Sequence, residues 1–356
     1  MGKPTPQATE PQDAAALTPR ELAKKFIFPA LFVAVLLAVA SHFIGLARLG
    51  AILLAAKPWP LAGLLGFHLC SLLFHTLRIQ VLFRGSVSAW DVFHANNICN
   101  MVNSILPLRA GEFAIALLLS RKVHGGGGEV LSTILVDRLL GLISILAIFL
   151  AVLPGFSPHG AAATSLAHSG IYYCLAFGGI TLGIFIAVAL EEWLLAVARS
   201  MLQFLPLDVE STLLRLRSCI NGLRVLFHFR TSVPAFLLAL FTWACVISLN
   251  YCGITAVVET TTITAAVFVS FLTIVGIMLV ATPSGVGTAH GASVLALSMF
   301  GVGAEQALAS AILTHGLVLM VNIGIGLVSA QKMHFRLRDV MSPRTKKAAE
   351  SGELKA

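Results

Sequence analysis

Apolar runs of spanning length, separated by short charged joints, organise this chain. Residues 26–47, 58–77, 139–190, 231–258, 260–304 and 306–331 contain no Asp, Glu, Lys or Arg. A membrane-crossing helix needs about 20 predominantly apolar residues. The pattern therefore predicts spanning helices over 26–47, 60–82, 129–153, 168–190, 233–256 and 304–330, with 139–190 divided near Pro154–Gly160. The stretch 191–232 is too charged to span. Within it Leu213, Leu216, Ile220, Leu223 and Phe227 recur at helical spacing, with Arg217 and Arg224 on another face. That pattern fits an amphipathic helix at the membrane surface or a cytosolic connector packed on the bundle. The chain thus divides into a disordered tail (1–25), one transmembrane domain (26–332) and a basic tail (333–356). The transmembrane domain comprises two halves, 26–190 and 233–332, around the connector.

Two segments, 89–121 and 262–302, share a different pattern: an apolar run, a Pro/Gly break, then a shorter apolar run. The breaks are Leu106-Pro107-Leu108-Arg109-Ala110-Gly111-Glu112 and Thr282-Pro283-Ser284-Gly285-Val286-Gly287-Thr288, with Gly four residues after Pro in each. Downstream, Ser132–Asp137 aligns with Ser310–His315. Interrupted helices at corresponding places in two halves point to a central transport site. Broken backbone at that depth is tolerated only where protein or a water-filled cavity satisfies it. The expected fold is an all-α polytopic membrane protein, with six spans plus two re-entrant hairpins in an inverted repeat. Residues 262–281 are long enough to cross fully, so an eight-span arrangement is the alternative.

Composition narrows the class. Apolar residues make up 57% of the chain and charged residues 11%, against roughly 45–50% and 25% in soluble domains. The net charge of +8 would suit nucleic acid, but its distribution does not. Four Lys/Arg precede the first span, five lie between Glu191 and Thr231, and seven follow Gln331. Arg78, Arg84, Arg121 and Lys122 fall on the same side of the expected topology, and only Arg48 and Lys57 fall opposite. This is the positive-inside bias, with both termini cytoplasmic and an inner (cytoplasmic) membrane location. The N-terminal apolar run is long and lacks a small-residue cleavage site, so it reads as a retained helix rather than a signal peptide. The six Cys show no C-x-x-C spacing, so neither a metal nor a cofactor is expected.

The candidate chemistry clusters around the breaks. Asn96, Asn100 and Asn103 are spaced to share one helical face, and amides are costly in hydrocarbon unless paired. They serve either as glue between helices or as ligands for a polar headgroup. Arg109 and Glu112 stand at the start of a short helix, where Glu suits the dipole and Arg can grip phosphate with two donors. Asp137 and Arg138 follow in the next span. Ionisable residues inside a membrane are functional candidates, and Arg109, Glu112, Asp137 and Arg138 are expected to form one charge cluster. In the second half the corresponding candidates are Ser284, Thr288, His290 and His315. An imidazole there could titrate near neutral pH, although a hydrogen-bonding role is the commoner one. His68 and His75, seven apart with no carboxylate nearby in sequence, do not read as a metal site.

Asn100-x-x-Asn103-x-x-Leu106-Pro107-x-Arg109-x-Gly111-Glu112, followed by Asp137-Arg138 and later by Pro283-x-Gly285-x-Gly287 and Gly301-Val302, resembles the lysylphosphatidylglycerol synthase transmembrane (flippase-like) family over about residues 26–332. Relatives often carry Glu-Arg at Asp137-Arg138 and Glu near His290. The soluble aminoacyl-transferring domain of fused members is absent. The resemblance implies a non-enzymatic membrane protein that translocates or presents a phospholipid or lipid-linked headgroup, with membrane lipids as its partners. Two other readings stay open: an accessory subunit of a lipid-modifying enzyme, and an intramembrane hydrolase using Ser284 with His290 or His315.

Overall fold

The computed structural model describes residues 46–106, 110–123, 126–155, 228–279 and 282–336, together with Gly179, Arg199 and Ser200. These residues are helical or lie in turns between helices. In chain order the helices are α1 (Leu46–Leu54), α2 (Pro58–Leu82), α3 (Ala89–Ile105), α4 (Gly111–Leu119), α5 (Gly126–Val152), α6 (Phe229–Thr255), α7 (Ile263–Leu279), α8 (Thr288–Ser298) and α9 (Ala304–Lys332). Among them α2, α5, α6 and α9 are long and apolar enough to cross a membrane. They match the expected spans 60–82, 129–153, 233–256 and 304–330 to within a few residues. The expected spans 26–47 and 168–190 and the connector 191–232 lie almost wholly outside the described residues.

Helix ends follow local chemistry. Pro58 starts α2, where a missing N–H costs nothing. Ser88 caps α3 by accepting the Asp91 N–H at 3.1 Å. The backbone N–H of Lys57 donates to the Ala256 carbonyl at 2.9 Å, tying the start of α2 to the end of α6. These two helices therefore run antiparallel. Arg48 pairs with Glu305 at the same end of the bundle. At the other end Met333, beyond α9, packs with Phe83 and Val123, and the His94 Nδ1 lies 3.1 Å from the Ser329 hydroxyl. Lys57 and Arg48 thus mark one end of the bundle, whereas Arg84, Lys122 and Lys332 mark the opposite one.

Both interrupted segments double back. Lys122, just beyond α4, pairs with Asp91 in the first turn of α3 at 2.6 Å, so α3 and α4 begin and finish at one end. Phe300, just beyond α8, packs edge-on against Phe268 in the second turn of α7, with centroids 5.3 Å apart. That second hairpin opens from the end marked by Val257 and Val258, which pack in the same core. The first lies against α9 at Gly326, where any Cβ would collide with the Met101 side chain and come within 3.0 Å of the Asn97 carbonyl. Small residues at such crossings let helix backbones approach closely.

Among the described residues, the long helices expose apolar stripes. Leu69, Leu73 and Leu77 on α2, Leu237 and Phe241 on α6, and Met320, Leu327 and Val328 on α9 are all exposed. Stripes of that kind on the long helices are what hydrocarbon rather than water would surround. The chain is a multi-pass membrane protein.

Candidate functional site

The first break is closed by a contact across the hairpin. The residue before α4, Ala110, offers no side-chain cap. Instead the Gly111 N–H donates to Asn103 Oδ1, eight residues upstream on α3, at 2.8 Å. Gly111 packs so closely that a Cβ would run into the Cys99 carbonyl and stand 2.7 Å from Asn103 Oδ1. This juxtaposition turns Glu112 toward α5, where its Oε1 accepts from an Arg138 terminal nitrogen at 3.4 Å. The Arg138 side chain keeps 35% of its surface exposed, while its buried Nε has no hydrogen-bond partner. Pro107 and Arg109 lie outside the described residues.

The second break is a tight left-handed turn. Ser284 has φ +56°, followed by Gly285 at +73° and Gly287 at +86°. Positive φ is ordinary for Gly and uncommon for Ser. Thr288 donates to the Gly285 carbonyl at 3.0 Å, and its hydroxyl lies 3.2 Å from that of Thr282. The Gly287 N–H donates to His290 Nδ1 at 3.3 Å. The Ser284 hydroxyl reaches His315 Nε2 on α9 at 3.3 Å, and the His290 and His315 rings stack 5.1 Å apart.

A cavity of about 420 Å³ joins the two breaks. From the first half it takes Asn100, Asn103, Leu106, Glu112 and Arg138, and from the second Thr282, Ser284, Gly285 and His315. His68 of α2 and Asn322 of α9, in contact at 3.1 Å, also line it. Val246, Ile254, Ile277 and Leu319 supply apolar wall. Asparagine amides, a partly exposed guanidinium and hydroxyls beside such walls can hold a polar headgroup while its chains stay in hydrocarbon. Among the described residues no three His, Cys, Asp or Glu are grouped to bind a metal.

Of the other described candidates, Asp137 and Asn96 sit outside the cavity wall. Asp137 is almost wholly buried and accepts from Arg78 Nε at 2.6 Å and from His75 Nε2 at 3.0 Å. Asn96 turns its amide nitrogen to His75 Nδ1 at 3.2 Å rather than to the cavity, which leaves the ring proton on Nε2. Of the expected four-charge cluster, the described members are joined by contacts of Asp137 with Arg78 and His75 and of Arg138 with Glu112, and Asp137 and Arg138 also interact electrostatically. Arg78 is also not a free topology-setting charge, being 4% exposed. Sequence reasoning missed His68 and Asn322 in the cavity wall, and His75 and Arg78 as the partners of Asp137. For the latter two, their spacing of three on an apolar helix was the available signal.

The family model described as the lysylphosphatidylglycerol synthase TM region matches residues 26–326 of the chain. No curated protein matches the chain, and no solved structure does.

Proposed function

The chain belongs to the family of lysylphosphatidylglycerol synthase transmembrane regions, and on that footing we propose that it translocates or presents a membrane lipid without chemically changing it. The lipid's headgroup is anionic or sugar-bearing, and it occupies the cavity between the two breaks. The observation that carries this reading is the cavity itself: a polar and charged space, walled by both interrupted segments, inside a bundle whose long helices expose apolar stripes. Arg138 offers donors to phosphate, and Asn100 and Thr282 can replace water around the headgroup. The two hairpins, entering from opposite ends, act as alternating gates in a re-entrant inverted repeat. Arg84, Lys122 and Lys332 at one end, against Arg48 and Lys57 at the other, support a cytoplasmic first end and an inner-membrane location.

Reconstitution tests this directly. Purified protein in phosphatidylglycerol–phosphatidylcholine vesicles should speed the exposure of fluorescent anionic lipid to an external quencher, relative to protein-free vesicles. No acceleration by pure protein, with recovery only after addition of a lipid-modifying partner, would leave an accessory role in its place. The Ser284–His315 contact also favours a second reading, an intramembrane hydrolase. That reading requires Ser284-dependent labelling by a fluorophosphonate probe.

A further inference from the structure

One residue of the cavity wall directs its hydrogen bonds at the protein rather than at the space it lines. Asn103 Oδ1 accepts the Gly111 N–H at 2.8 Å. An N–H can only donate, so the amide oxygen must face it. The amide nitrogen is thereby committed to the other side, 3.5 Å from Glu112 Oε2 and 3.6 Å from Cys99 Sγ. Both amide hydrogens have protein neighbours. The opposite carboxylate oxygen, Glu112 Oε1, is the one that meets Arg138.

These contacts form a single relay across three helices. The first N–H groups of a helix have no partner within it, and α4 receives its cap from the preceding helix instead of from its own flank. Because Gly111 leaves no room for a Cβ against Cys99 and Asn103, the fit of α4 on α3 is fixed at this point. That fit sets where Glu112 stands, and Glu112 sets where the Arg138 guanidinium is held. We propose that Asn103 is a positioning residue, the remote cap that locks the first break and aims the Glu112–Arg138 pair into the cavity, and not a ligand of the headgroup. The proposal deepens the lipid-handling reading and rests on it for its functional half only.

Exchanging the amide and the carboxylate tests the relay. Asn103→Asp keeps an acceptor for the Gly111 N–H but sets a second carboxylate against Glu112. Glu112→Gln removes the anion facing Arg138. In Asn103→Asp/Glu112→Gln the pattern is restored in mirror form: an acceptor for Gly111, an amide donor toward position 103, and an amide oxygen for Arg138. The full chain is reconstituted in mixed phosphatidylglycerol–phosphatidylcholine vesicles, and melting temperature is measured together with transfer of a fluorescent anionic and a fluorescent zwitterionic lipid. Asn103→Asp should lower the melting temperature and, by misplacing Arg138, slow the anionic lipid about tenfold. The double variant should regain most of both losses. A double variant that melts no higher than Asn103→Asp overturns the relay. A double variant that regains the melting temperature but not the anionic-lipid rate also overturns it, and makes Asn103 a headgroup ligand. If the wild-type protein moves neither lipid, the lipid-handling reading fails while the melting temperatures still decide the relay.

Discussion

Removing either charge from the Arg78–Asp137 pair should destabilise the protein more than removing both. The side chains are 5% and 2% exposed, and the Nε–Oδ1 distance is 2.6 Å. In Arg78→Met, Asp137 keeps only the His75 contact at 3.0 Å. In Asp137→Leu, the guanidinium is left buried without an anion. Stranding one member of a buried pair typically costs about 3–5 kcal/mol, roughly a factor of 10²–10⁴ in the folding equilibrium. Arg78→Met/Asp137→Leu leaves neither member of the pair stranded. Its remaining defect is the lost hydrogen bond from His75, about 1–3 kcal/mol. Thermal melts of the detergent-solubilised chain should place each single variant on the order of 10 °C below wild type, with the double variant between them and wild type. A single variant that melts like wild type, or a double variant that melts below both singles, would refute a charge pair held by mutual compensation.

Gly111→Ala should lose about 3 kcal/mol, the upper end for overpacking, because its Cβ meets the Cys99 backbone carbonyl and not a movable side-chain tip. Melting temperature checks it, and Gly50→Ala, where a Cβ meets nothing within 4 Å, is the control. Ser284→Val should destabilise by about 1–3 kcal/mol, since a β-branched residue resists φ +56°, whereas Ser284→Gly should melt close to wild type. Lys122→Ala should cost under about 1 kcal/mol, and less in high salt, because its bridge to Asp91 is partly exposed. Burial pushes the Asp91 carboxyl up, but Lys122 and Ser88 outweigh it and hold the carboxyl below its ordinary value. The bridge's contribution is therefore complete near neutral pH and is lost only as pH falls through that lowered value, so wild type and Lys122→Ala should converge in strong acid.

The four described spans were readable because length and lack of charge suffice to identify them, and both interruptions were readable because Pro and Gly mark broken helix. Their meeting at one cavity followed from the likeness of the two halves. The partners of Asp137 were not readable. Arg78 and His75 lie 59 and 62 residues away, and no local rule sets which faces of α2 and α5 meet. The direct contacts within the charge cluster divide for a geometric reason, although Asp137 and Arg138 still attract each other. Asp137 and Arg138 are consecutive, hence about 100° apart around a helix of 3.6 residues per turn. One faces α2 and the other faces α4. The asparagine stripe divides likewise along its length. Asn100 and Asn103 reach the cavity, while Asn96, a turn earlier, stands level with His75.

The central claim, that a lipid headgroup occupies the cavity between the two breaks, is tested most directly by where a headgroup lands. The full chain is reconstituted with an anionic phospholipid carrying a diazirine on its headgroup, irradiated, and the adducts are mapped by mass spectrometry. The account predicts adducts on cavity residues from both halves, around Asn100–Ser104 and Thr282–Gly285, that are competed by unlabelled anionic lipid. Adducts confined to the outer faces of α2 and α6, around Leu73 and Phe241, and insensitive to competitor would contradict it.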